Sequence, residues 1–115
     1  MNEAAARALA IAFTDAWNAH DLDAALAMCA ADVVFESTDP APDGRRFQGQ
    51  VAVRTAWQPV FAQTEGRFDI EELIIAGDRL IQRWRYDWDT GHVRGVDIIT
   101  LSDGQITEKL SYVKG

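Results

Sequence analysis

Arg94-Gly95-Val96-Asp97-Ile98-Ile99-Thr100-Leu101 reads as a buried strand with one carboxylate set into it. Alternation places Val93, Asp97, Ile99 and Leu101 on one face, and Val96 and Ile98 on the other. Both faces are apolar, so Asp97 stands among hydrophobic neighbours. An ionised carboxylate in that setting is costly unless it is paired or protonated. Asp97 is therefore either satisfied by a neighbour or kept for chemistry. Asp103-Gly104 follows as the clearest hairpin signal in the chain and leads into a last strand from Ile106 to Val113.

Working back from this segment, turn residues at Asp89-Thr90-Gly91 and Gly77-Asp78 separate two further strand patterns, Leu80 to Trp88 and Phe68 to Ala76. The first half is different. Leu9, Phe13 and Trp17 recur at helical spacing, with Ala5, Ala12 and Ala16 between them. Asn18-Ala19-His20-Asp21 breaks that helix, and Asp21 is a good N-cap for a short second helix carrying Leu22, Leu26 and Cys29. Val33 to Ser37 is a short strand, and Asp39 to Gly44, with Pro40 and Pro42, is a loop. A third helix begins near Gln50 and carries Val53, Trp57, Val60 and Phe61, with Pro59 expected to kink or interrupt it. Helices followed by an antiparallel meander imply an α+β fold in a single domain, residues 1–115. The N-terminal helices must cover one face of a curved, mostly antiparallel sheet, giving a cone with an apolar pocket.

Composition narrows the function classes. The chain carries a formal charge of -7 and is 48% hydrophobic. Acidic protein repels phosphate, so no nucleic-acid partner is expected. No run of residues is long enough to span a membrane, and no membrane partner is expected. The Ala-rich start carries Glu3 and Arg7, unlike a signal peptide. With its lone cysteine, Cys29, this fits a reducing cytoplasm. Cys29 lies among Ala27, Met28 and Ala30 and reads as a buried structural thiol. No HxxxH, HExxH or CxxC spacing occurs, so no metal site is expected. Ser37 lacks the elbow of a nucleophilic serine.

Trp84, Tyr86 and Trp88 alternate along one strand and share a face. They form an aromatic wall for a flat apolar ligand if that face lines the cone, and core or interface packing otherwise. The opposite face carries Ile81, Arg83, Arg85 and Asp87, suited to cross-strand ion pairs. Phe13, Trp17, Phe35, Trp57 and Phe61 are apolar-face residues with two roles open to them, core packing and ligand contact. Tyr112 alternates with Leu110 and Glu108, and its hydroxyl is a candidate partner for Asp97.

Four pieces of the chain resemble the nuclear transport factor 2-like superfamily in its SnoaL-like branch. They are Ala16-Trp17-Asn18-Ala19-His20-Asp21-Leu22-Asp23, Phe35-Glu36, Gln48-Gly49, and Gly95-Val96-Asp97-Ile98 with Asp103-Gly104-Gln105-Ile106-Thr107-Glu108. In order and spacing they are specific for the fold, which hosts many functions. The resemblance implies a small-molecule pocket, with ketosteroid isomerases, polyketide cyclases, epoxide hydrolases, dehydratases and non-catalytic binding domains among the relatives. Asp97 matches a late-strand acid of the isomerases and an acid/base aspartate of the cyclases. Phe13 stands where the isomerases carry a tyrosine, and Ser37 where they carry a general base. Glu108 is followed by Lys109-Leu110, where the cyclases carry a His-Trp pair, so that support is absent. Arg94 and Asp97 lie on opposite strand faces, unlike the arginine–carboxylate couple of the epoxide hydrolases.

The expectation is thus a pocket protein, either an acid/base enzyme of the cyclase, isomerase or dehydratase kind or a binding module. The enzyme would act without a cofactor on a small apolar carbonyl compound through Asp97, and would not be an efficient ketosteroid isomerase. Ligand contacts are expected from Phe13, Trp17, Phe35, Ser37, Trp57, Phe61, Trp84, Tyr86, Trp88 and Tyr112. A second apolar sheet face at Val96, Ile98 and Ile81 implies a homodimer through the sheet.

Overall fold

A computed structural model describes residues 1–115. Helix α1 (Glu3–Asn18) is capped by Asn2, whose side chain accepts from the Ala5 N–H at 2.8 Å. Its buried stripe is Ala6, Ala10, Phe13, Ala16 and Trp17. The helix ends at Asn18, whose amide both donates to the Phe68 carbonyl (2.9 Å) and accepts from the Phe68 N–H (2.7 Å). This two-way bond fixes the end of α1 to the first strand of the meander. Asp21 caps α2 (Leu22–Ala27) by accepting from the Ala24 N–H.

Strand β1 (Cys29–Glu36) starts four residues earlier than the apolar run Val33 to Ser37 suggests, and takes Cys29 out of the helix. A three-residue strand β2 (Arg46–Gln48), too short to show a pattern, follows the proline loop. Helix α3 (Gln50–Phe61) runs past Pro59 instead of breaking there. Pro59 falls in the last turn, where the helix ends two residues later in any case. Gln50 Nε2 lies within 3.2 Å of the carbonyl oxygens of Leu26, Cys29 and Ala30, tying α3 to the junction of α2 and β1.

The meander is β3 (Arg67–Ala76), β4 (Arg79–Trp88), β5 (Gly91–Ser102) and β6 (Gln105–Val113). The six strands form one open sheet in the order β2-β1-β6-β5-β4-β3, antiparallel except for the β1–β6 pair. Register shifts between Ile70 and Glu72, and between Thr100 and Leu101, mark irregularities that bend and twist a sheet. The concave face wraps the helices, with α1 against β3 and α3 against β1. The core is aromatic at its centre. The Trp17 and Trp57 rings lie 5.0 Å apart, with Phe13, Phe35 and Phe61 packed around them. No helix is long and apolar enough to cross a membrane.

Candidate active site

Strand β5 points Asp97 into the concave side, where it is 4% exposed. Strand β6 brings Lys109 beside it, 7% exposed. Lys109 Nζ lies 3.5 Å from Asp97 Oδ2 and donates to Ser111 Oγ at 2.8 Å. The same ammonium lies 4.9 Å from the Phe35 ring centre, 5.1 Å from Trp17 and 5.9 Å from Trp57. A cation over aromatic faces is stabilised by their quadrupoles, more strongly when desolvated. Removing the carboxylate would leave this charge buried and uncompensated, which is where burying ions becomes most costly.

Two adjoining hollows meet at this pair. The inner one, a water-sized cavity of about 20 Å³ between α1 and the sheet, is bounded by Phe13, Thr14, Ile70 and Gln82. The outer one, about 150 Å³, opens between α3 and the loop after β1, past Phe35, Ser37, Trp57 and Ser111. Trp17, Phe68, Trp84, Asp97 and Lys109 line both. The walls are apolar, yet several buried polar atoms have no protein partner: Asp97 Oδ1, Gln82 Oε1 and the indole nitrogens of Trp17, Trp57 and Trp84. Buried polar groups are nearly always satisfied, so those gathered around these hollows are open to a water or a ligand.

The concave face is thus the Trp84 and Asp97 face. Phe13, Trp17, Phe35, Ser37, Trp57 and Trp84 all border the two hollows. Ser37 serves the adjacent loop, its hydroxyl bonding to the Asp39 carbonyl (2.7 Å) and the Arg45 N–H (3.0 Å). Four expected contacts lie elsewhere. Phe61 is core, its ring 4.3 Å from that of Trp17. Tyr86 packs on Phe68 with its hydroxyl buried, and desolvation raises its pKa from the ordinary 10.0. That hydroxyl fills the space a side chain on Gly66 would need. Trp88 is 37% exposed and donates to Thr90 Oγ1 in the turn.

Tyr112 is 52% exposed and pairs with Val96 on the convex face, away from Asp97. The reason is a bulge. Ile106 pairs with Leu101, but Glu108 pairs with Thr100, so β6 carries one extra residue, Thr107. Thr107 Oγ1 donates to the Thr100 carbonyl at this point (3.2 Å). One extra residue exchanges the faces of everything beyond it. Simple alternation from Ile106 turns Glu108, Leu110 and Tyr112 inwards. The bulge turns Lys109 and Ser111 inwards instead.

Lys109 is the residue lining the hollows that strand periodicity missed, and it stands directly after Glu108, where the resemblance pointed to an absent support. Gln82, the cross-strand partner of Asp97, was also missed; it belongs to the same alternating set as Trp84. Cys29 is buried and bonded through sulfur to the Ala25 carbonyl, and burial pushes its thiol pKa up to about 12 despite the opposing charge of Lys109. It is inert in this setting. On the convex face, Arg83 pairs with Glu72, Arg85 with Asp87 and Arg94 with Glu71.

Comparison with known proteins places this geometry. Residues 10–109 match the family described as SnoaL-like domain. No curated protein matches the chain. Among solved structures, an NTF2-like protein of unknown function from Mesorhizobium loti is 40% identical, with a TM-score of 0.86 over 96% of this chain and 92% of that one. A SnoaL-like protein of unknown function from Burkholderia thailandensis is 23% identical, with a TM-score of 0.85 over 100% and 99% of the two chains. A candidate polyketide cyclase from Sinorhizobium meliloti is 24% identical, with a TM-score of 0.76 over 90% and 92%. The last two likenesses are of fold. A match over nearly the whole domain, together with the helices and the open curved sheet, makes this chain a member of the SnoaL-like domain family.

Proposed function

We propose that the protein is a cofactor-independent acid/base enzyme of the isomerase, cyclase or dehydratase type, acting on a small, flat, apolar carbonyl compound. The observation that carries this reading is Asp97. One of its oxygens faces Lys109, and the other is buried at the wall of the hollow without a partner. A carboxylate held that way is a base waiting for a proton. The substrate would lie against Trp84, Phe68 and Trp17, with a carbon acidified by its carbonyl group facing Asp97 Oδ1. Asp97 takes that proton and returns it elsewhere on the same framework. The nitrogen of Lys109 supplies a nearby positive charge while negative charge leaves Asp97 for the substrate. Phe13 has no hydroxyl and Ser37 is committed to its loop, so efficient ketosteroid isomerisation is not expected.

The test is exchange of α-protons for solvent deuterium in a flat ketone such as 2-tetralone, followed by NMR. Asp97→Asn should slow the enzyme-dependent exchange by about a hundredfold or more. Ketone binding, read as thermal stabilisation, should survive. Stabilisation without any exchange would overturn the catalytic reading. It would leave the alternative, a non-catalytic module for apolar ligands, favoured by the absence of a hydroxyl at Phe13.

A further inference from the structure

We propose that Lys109 is a Schiff-base-forming amine, so that carbonyl substrates are held covalently as an iminium. This rests on the carbonyl-compound reading above and deepens it. Three observations converge on it. The chain meets almost all its need for positive charge with arginine; Lys109 and Lys114 are its only lysines. Lys114 lies in the exposed C-terminal segment, whereas Lys109 is buried at the junction of the two hollows. Where only a charge is wanted, guanidinium serves; an amine is the group that can give up its proton and attack a carbonyl carbon. Second, a carboxylate that can take the proton lies close by, with Asp97 Oδ2 3.5 Å from Nζ. Third, the rings of Trp17, Phe35 and Trp57 surround the nitrogen. They favour a cation at that point, and a protonated imine keeps its positive charge there.

The chemistry balances without any external reagent. Asp97 accepts a proton from the Lys109 ammonium, and the freed amine attacks the carbonyl carbon. A C–N bond forms, and the π electrons move to oxygen, which takes the proton from Asp97. The carbinolamine then loses its hydroxyl as water, taking a further proton that leaves the nitrogen singly protonated. The sum is a carbonyl compound plus an ammonium giving an iminium plus water, with Asp97 again a carboxylate. The iminium acidifies the neighbouring C–H bond, and the unpartnered Asp97 Oδ1 is positioned to remove that proton and leave an enamine.

The experiment is reductive trapping. The full chain is incubated with 2-naphthaldehyde and sodium cyanoborohydride near neutral pH, and the adduct is mapped by peptide mass spectrometry. Lys109 should be labelled at least about tenfold faster than Lys114, because binding places the aldehyde beside it. Excess 2-tetralone should suppress labelling at Lys109 alone. Lys109→Arg, which keeps the charge facing Asp97, should abolish the fast adduct, and Lys114→Arg should not change it. The wild-type mapping decides the matter even where a Lys109 variant folds poorly. Labelling confined to Lys114 and the N-terminus, while 2-tetralone still stabilises the fold and exchanges its α-protons, would overturn the covalent proposal alone. Absence of both labelling at Lys109 and stabilisation by any carbonyl compound would overturn it together with the reading on which it rests.

Discussion

Lys109 Nζ lies 3.5 Å from Asp97 Oδ2 because Thr107 is an extra residue in β6. Ile99, two residues along β5 from Asp97, pairs with Lys109, while Ser111 stands directly opposite Asp97. Lys109 therefore reaches Asp97 on the diagonal, and Ser111 Oγ accepts from its ammonium on the way. Both groups are almost fully buried, so each depends on the other to balance its charge.

Breaking this pair from one side should be costly. Asp97→Ala leaves a buried ammonium and should destabilise the fold by about 3–5 kcal/mol. Lys109→Met strands the carboxylate and should cost a similar amount. The double variant Asp97→Ala with Lys109→Met, free of either charge, should recover most of the loss. Urea unfolding of the three variants measures this as a double-mutant cycle. Additive losses would mean that the two groups do not sense one another.

The thiol of Cys29 should shape the alkaline limb of stability. Its folded pKa of about 12 lies above the ordinary 9.0, so the folded state keeps a proton that the unfolded chain gives up. Below pH 9 the group is protonated in both states and has no effect. Between 9.0 and about 12 stability falls as pH rises, and above that the penalty is constant. Stability–pH curves should show a shallower fall for Cys29→Ala than for the wild type in that window. At neutral pH, a thiol reagent should react with Cys29 only on unfolding.

Gly95 stands in the interior of β5, where a glycine marks close approach of another group. A Cβ there would run into the Trp84 ring and the Tyr112 carbonyl oxygen. Gly95→Ala should therefore cost about 1–3 kcal/mol, as overpacking does. It should also push Trp84 into the hollow and weaken ligand binding. Thermal unfolding and Trp fluorescence check both, and an unchanged ligand shift would show that Trp84 is no part of the binding wall.

A homodimer through the convex face is the fourth expectation. Ile74, Ile81, Ile98 and Leu110 lie in one register row across four strands, and Val96 and Tyr112 adjoin it. The Arg83–Glu72 and Arg94–Glu71 ion pairs flank this stripe. An apolar stripe with a charged rim is built to be covered, and two-fold self-pairing is the commonest way to cover it. Light scattering should give twice 12.8 kDa, and Ile81→Asp with Ile98→Asp should return the mass of one chain. A wild-type monomer at high concentration would remove the idea.

Much of this protein was legible in the sequence because local signals carried it. The Asp21 cap, the Asp103-Gly104 turn and the alternating meander each depend on near neighbours along the chain, and strand boundaries read from them lie within three residues of those observed. Burial of Asp97 and Cys29 also followed from neighbouring apolar residues. What tertiary structure alone decided was the company Asp97 keeps. A single bulged residue at Thr107, stabilised only when β6 pairs with β5, exchanged Tyr112 for Lys109 and Ser111 at the site. Strand periodicity has a phase, and no pattern within β6 records where that phase slips, because the slip is an adjustment between two strands.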